Sequence, residues 1–378
     1  MTLLTVVFWV SVALLVYAQV GYPALLWLLA HTRRTRTAAL SGTAELPDVS
    51  VVVAAYREEA GITARVANLL ALDYPRERLE VIVACDGSPD DTAPRARDAG
   101  ADLVLELPRG GKVRAQDAAV ERARGQIVAF GDANARWERG ALRALVAPFA
   151  DPRVGYVCGQ LRLLDAGGTN QEGLYWRYEM ALRALESRLA SVTAGNGAIY
   201  ATRREAYLRV DPVMGHDLSF PFNMVKRGWR ALYVSTAVAT EPMVPSAEGE
   251  FARKRRMMSH TWPIVLRGGM LSPRGYGALY GLMLGSHRLL RYATPFLHLI
   301  ALAANVALYA LHAGPVYAVT LALQLALLLA ALAALVLPVQ PLLVARYYVL
   351  TTASPAAGLW DWLRHGTPAG WEPAEGTR

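Results

Sequence analysis

The side chains best suited to chemistry stand where a strand-like run ends or a helix-like run begins. Gly131-Asp132-Ala133-Asn134 directly follows the apolar run Ile127 to Phe130. Asp132 and Asn134 can both turn an oxygen toward one hard divalent cation, Mg2+ or Mn2+, in a tight loop. An Asx turn closing a strand uses the same residues. Asp86 ends a second run, Glu80 to Cys85, and can accept the imide N–H of a uracil ring, although Asp-Gly is also an ordinary turn. In Arg109-Gly110-Gly111-Lys112 a lysine opens a helix pattern against the helix dipole. A bound pyrophosphate gives it a reason to be there, and a flexible basic loop is the alternative. The loop after Ala55 supplies Tyr56, able to stack on a base, and Glu58 and Glu59, able to accept from ribose hydroxyls or simply to suit a helix start. Asp217 is a carboxylate ionised near neutral pH, fit to take a proton from a hydroxyl or to cap a helix.

The elements that must position these residues alternate between the two periodicities. Strand-like 49–54, 80–85, 102–106 and 127–130 are followed in turn by helix-like 62–72, 91–99, 112–124 and 139–150. Such alternation predicts a parallel sheet covered by helices, an α/β fold whose ligands bind at the carboxyl ends of the strands. Ser88 fits a helix N-cap with Pro89 at the first helical position. The first strand lacks G-x-G-x-x-G, which argues against a nicotinamide dehydrogenase, and no Walker pattern accompanies Lys112.

Composition adds a membrane. The chain has 378 residues, 54% of them hydrophobic, more apolar than a wholly soluble protein. Thr2 to Ala30 carries no charge and exceeds the roughly 20 residues that cross a bilayer. It lacks the basic start and cleavage site of a signal peptide, so a retained helix is expected. Arg33, Arg34 and Arg36 follow at once and predict that this end, and the domain after it, face the cytoplasm. His287, Arg288 and Arg291 form a second basic flank, before expected spans at 292–312 and 315–337; 341–363 reads as an interfacial helix or a further span. Cys85 and Cys158 sit in apolar runs and read as reduced core residues. The net charge of +8 fits anionic lipid headgroups and a phosphorylated substrate, and no nucleic acid partner is expected.

The strings VSVVVAAYREE, VIVACDGSPDDT, GGKVRAQDAAV and FGDANARW, in this order, resemble the nucleotide-binding half of membrane-bound family-2 glycosyltransferases with the GT-A fold. These are exopolysaccharide-type enzymes related to cellulose, hyaluronan and chitin synthases, and the likeness covers roughly residues 48 to 262. It implies a membrane helix at 1–32, a linker at 33–47, a cytoplasmic catalytic domain at 48–270 divided near 137 into donor and acceptor halves, and a membrane region at 271–378. It further implies that Ala55, Tyr56, Glu58, Asp86 and Lys112 hold a nucleotide sugar, with UDP as the nucleotide. The family's D-x-D falls on Asp132 and Asn134, which implies a divalent cation held with one charge fewer. GHDLSFPFNMVKRGWRALY is similar to the family's base helix, so Asp217 is the implied base and His216 replaces its acidic neighbour. Of Q-x-x-R-W only Arg256 is kept, and it would contact the diphosphate. The implied activity is inverting transfer to a lipid-linked or glycan acceptor by a multi-pass cell-membrane protein. A processive polysaccharide synthase is disfavoured by the lost Q-x-x-R-W and the few spans, and a non-catalytic nucleotide-sugar-binding scaffold is the other alternative.

Overall fold

The computed structural model describes residues 1–32, 45–164, 171–242 and 247–370. Arg33, Arg34 and Arg36, expected to set the membrane orientation, lie outside the described residues, as does most of the expected linker.

After α1 (Thr2–Val16) and α2 (Tyr22–Thr32), strands and helices alternate as the sequence pattern predicts. They are β1 (Val49–Ala55), α3 (Ile62–Leu70), β2 (Leu79–Asp86), α4 (Thr92–Asp98), β3 (Leu103–Leu107), α5 (Lys112–Arg122), β4 (Ile127–Asp132), the short β5 (Arg136–Trp137) and α6 (Ala141–Val146). Every residue of β1 is buried, which requires cover on both faces. Val51 and Val53 pack in the same cluster as Ile62, Val66 and Leu69 of α3, while Val52 and Ala54 pack with Ala115 and Ala119 of α5. Fully burying a valine or leucine contributes about 1.5–3 kcal/mol. Strands β1 to β4 are parallel, with Ala54 opposite Asp132, Ala55 opposite Cys85 and Asp86 opposite Leu107. All four carboxyl ends therefore emerge at one edge.

The second half supplies β6 (Val154–Leu164), α7 (Gln171–Leu189), β7 (Tyr200–Arg203), α8 (His216–Lys226), β8 (Arg230–Pro242) and α9 (Ala247–Leu266). β7 runs antiparallel to β4 and β6 and closes one mixed sheet, ordered β3-β2-β1-β4-β7-β6-β8-β5.

Two helix starts decide between readings left open by the sequence. α4 begins at Thr92, so Ser88 is not its cap; the Asp90 carboxylate accepts from Ser88 Oγ and from both the N–H and Oγ1 of Thr92. α8 begins at His216 with Gly215 as N-cap. Asp217 is then the second helical residue, inside the first turn, and capping is not its role.

α1 and α2 join through a π-helical turn, Tyr17–Gly21, into a helix of 31 residues. α10 (Ala278–Leu284) and α11 (Leu290–Ala310) join through Gly285–Leu289 into one of 33. With α12 (Pro315–Ala333), these are the three helices, among the described residues, long and apolar enough to cross a membrane. Leu299, Leu323, Leu329 and Val336 stand exposed on them or just beyond, a surface suited to lipid. The second of these helices starts at Ala278, well before the expected boundary. Two of its basic residues, Arg288 and Arg291, pair with Glu179 of α7. α13 (Gln340–His365) lies along α9, where Trp262 Nε1 donates to the Pro355 carbonyl and Arg255 pairs with Asp361.

Candidate active site

The first loop is tied to the second strand's loop through its backbone. The Arg57 N–H donates to Ser88 Oγ at 2.7 Å, and the Glu58 N–H donates to Thr92 Oγ1 at 2.9 Å. Glu58 is buried, and Tyr56 lies under the Arg109 guanidinium, 3.4 Å from its ring centroid. That arginine also donates to Asp86 at 2.6 Å. Asp86 is 1% exposed, and its oxygens take the Gly110 N–H at 2.6 Å and the Gly111 N–H at 2.9 Å. Both Asp86 oxygens thus hold the third loop, and Asp86 fixes the turn that launches α5 and Lys112.

Lys112 Nζ pairs with Asp132 Oδ1. This is the anion that a lysine at a helix start requires. Burial opposes the ammonium, but Asp132, which it contacts, and then Asp217 and Glu241 through longer-range attraction raise its pKa above the ordinary value. Gly197 closes the group from above: a Cβ there would stand 3.1 Å from Asp132 Oδ2 and 3.3 Å from Lys112 Nζ. The glycine-rich string at 195–198 therefore brings backbone against the lysine–carboxylate pair. Asn134 is exposed and, with Glu58, borders a cleft of about 1210 Å³ between α3 and the β4–α6 connection. Lys112, Asp132 and Asp217 are not among its lining residues.

Sequence reasoning missed Glu241, at the end of β8. Burial and the neighbouring Asp132 push its carboxyl up to about 7, and its Oε1 is buried with no hydrogen-bond partner among the described residues. Only the β8 register reveals it, since Arg136 pairs with Thr240 and draws the strand's end toward the Asp132 loop. Arg253 lies within electrostatic reach of Glu241, and Arg256, implied to contact the diphosphate, is exposed on α9.

His216 sits in an aromatic box, stacked on Phe220 at 4.1 Å between centroids and edge-on to Phe130 and Tyr207. Gln116 Nε2 donates to the Tyr200 hydroxyl, which stands 2.8 Å from His216 Nδ1 and can donate to it. Burial, helped by Lys112, pulls His216 down to about 3, so the ring is neutral at physiological pH. Its neighbour Asp217 is half-buried, and its backbone carbonyl accepts the Gly195 N–H at 2.6 Å.

Among the described residues no group of three His, Cys, Asp or Glu side chains could hold a metal by itself. Mg2+ in phosphate sites needs only one or two carboxylates besides the substrate's own phosphate oxygens. Asp132 and the orphaned Glu241 oxygen match that requirement.

A parallel β1–β4 sheet with acidic and basic loops gathered at its carboxyl edge, extended by an antiparallel β7, has the GT-A fold. The chain belongs to the family described as glycosyltransferase like family 2, whose model matches residues 47–259, more than half of its length. It is 31% identical over 236 residues to an N-acetylglucosaminyltransferase of Rhizobium meliloti (strain 1021), covering 56% of this chain and 55% of that protein. It is 33% identical over 216 residues to a beta-monoglucosyldiacylglycerol synthase of Synechocystis sp., covering 52% of this chain and 43% of that one. The chain thus spans about half the length of these curated relatives. Among solved structures it is similar to the mannosyltransferase PcManGT from Pyrobaculum calidifontis, in complex with GDP-Man and Mn2+. The TM-score is 0.71 and the identity 25%, over 95% of this chain and 99% of that one.

Proposed function

We propose that this protein is an integral-membrane, inverting glycosyltransferase that moves a sugar from a nucleoside diphosphate, UDP in our reading, to a lipid-linked or glycan acceptor. The observation that carries this is the pairing of Lys112 with Asp132 under Gly197, with Asp217 within electrostatic reach of that lysine. A cation-binding carboxylate, a phosphate-binding lysine and a free carboxylate are the groups that glycosyl transfer needs. Tyr56 and Arg109 form a stacked platform for the base, and Asp86 holds the loop that carries Lys112. Asp132, with Glu241 and Asn134 beside it, would hold the divalent cation, which when bound supplies electrostatic stabilisation to the leaving diphosphate. Asp217 takes the proton of the acceptor hydroxyl, the oxygen forms a bond to the anomeric carbon on the face opposite the leaving group, and the bond from that carbon to the diphosphate oxygen breaks. Lys112 then exchanges Asp132 for the departing diphosphate. The three long apolar helices favour membrane integration, and a catalytic half on the cytoplasmic side gives access to nucleotide sugars. Calorimetry of UDP binding with and without Mn2+, in wild type and Asp132→Ala, tests the reading: Mn2+-dependent binding lost in the variant is expected, and unchanged binding would refute it.

A further inference from the structure

Lys112 reaches Asp132 from α5, on one face of the sheet; α3 packs on the other face and carries a second cation toward the same loop. Arg65 of α3 is 3% exposed. Its guanidinium carbon lies 5.1 Å from the centroid of the Trp137 ring, and its Nη1 donates to Asn68 Oδ1 at 3.1 Å. Among the described residues its Nε and Nη2 have no hydrogen-bond partner. A buried cation with unused N–H groups costs stability that an apolar side chain of similar length does not. Burial pulls the guanidinium down to about 10, and Asp132, then Glu241, oppose that fall.

Three segments meet against this arginine at Gly131, the residue before Asp132. A Cβ at Gly131 would overlap Arg65 Nη2 and stand 3.0 Å from both the Trp137 ring and the Ala198 carbonyl oxygen. Close approach, not backbone conformation, therefore demands glycine here. The same groups are bonded to one another. Asn68 Oδ1 accepts the Trp137 N–H at 2.9 Å, Asn68 Nδ2 donates to the Trp137 carbonyl at 2.9 Å, and Trp137 Nε1 donates to the Ala198 carbonyl at 2.9 Å. Ala198 follows Gly197, whose backbone lies over Asp132 Oδ2 and Lys112 Nζ. Arg65 thus stands behind the loop that carries Asp132, and Trp137 ties that loop to the one that covers it. A planar guanidinium can bond Asn68 in its own plane while it lies beside an aromatic ring.

We propose that Arg65 is a positioning residue of the cation site: through Gly131 and Trp137 it sets Asp132 against Gly197, so that affinity for the divalent cation depends on a side chain of α3. This rests on the transfer reading above, in which Asp132 holds that cation. The test uses the full chain in nanodiscs, with UDP titrated calorimetrically at a series of Mn2+ concentrations to give the Mn2+ dissociation constant of the UDP complex. Arg65→Met keeps an unbranched side chain and removes the charge and the bond to Asn68. Ile127→Ala is the control for general loosening, since it empties buried space at the far end of β4, roughly 16 Å along the strand from Asp132. Both variants lower the thermal midpoint. The Mn2+ constant rises about tenfold or more in Arg65→Met, as when a group supporting a metal ligand is lost, and stays within about twofold of wild type in Ile127→Ala. An unchanged constant in Arg65→Met overturns the inference, and so does an equal rise in Ile127→Ala. Should Arg65→Met fail to fold, Trp137→Phe keeps a ring and removes the N–H that holds Ala198, and a constant equal to wild type there overturns the inference as well. The two readings fail separately: Mn2+-dependent UDP binding that survives Asp132→Ala counts against transfer, whereas binding lost in Asp132→Ala with an ordinary Mn2+ constant in Arg65→Met counts against the positioning role alone.

Discussion

The donor half and the acceptor half of this enzyme fold place their polar groups by different means. In the donor half, loops that follow successive parallel strands bind one another: Asp86 holds Gly110 and Gly111, and Thr92 holds Glu58. Each side chain is fixed by a neighbour one βα unit away. In the acceptor half, placement depends on residues far apart in the chain. Glu241 arrives beside Asp132 along β8, and the box around His216 draws Phe130 from β4 and Tyr207 from the segment after β7. Local order ties the first half's loops to one another, and long-range packing keeps His216, beside Asp217, neutral.

The contrast is sharpest at Asp217. Asp217→Asn keeps the shape but cannot accept a proton, so transfer should fall by about 10²- to 10⁴-fold while donor affinity survives. Paired assays of sugar transfer and UDP binding check this, and near-normal transfer would reject the base. Asp132→Ala should abolish Mn2+-dependent UDP binding, whereas Asn134→Asp, which restores the second acid, should keep or strengthen it. Glu241→Gln should weaken Mn2+ binding to the UDP complex by roughly tenfold, as loss of a supporting carboxylate does. Equal affinity there would assign Glu241 to Lys112 alone. His216→Glu should act on stability rather than chemistry. A carboxylate in the aromatic box loses the neutral ring's stacking and costs about 3 kcal/mol, read as a lowered thermal midpoint, while UDP binding in the surviving folded fraction stays normal.

Legibility followed the same division. Ala55, Tyr56, Glu58, Asp86, Lys112 and Asp132 announce themselves because a buried strand and the polar loop after it are contiguous in sequence. Lys112 was also legible as a charge in need of a partner, although the partner, Asp132, was not. The capping reading of Ser88 failed because the helix starts four residues later, where Asp90 accepts from the Thr92 N–H and hydroxyl. Glu241 sits in an unremarkable strand and gains its character only from the register of β5 on β8. The charge of His287, Arg288 and Arg291 was legible in the sequence, but their partners Glu179 and Glu186 on another helix were not.

The helix from Ala278 to Ala310 touches both worlds without a break. Near its start the Tyr280 hydroxyl donates to the Val192 carbonyl, at the root of the Gly195–Gly197 loop, and farther along Leu299 and Ile300 lie exposed on its apolar face. Its 33 residues run through the π-helical turn Gly285–Leu289 and past Pro295, the two places where its axis can bend. Movement of its apolar end would therefore be taken up at that turn and that proline before it reached Val192 and the glycine loop over Lys112 and Asp132.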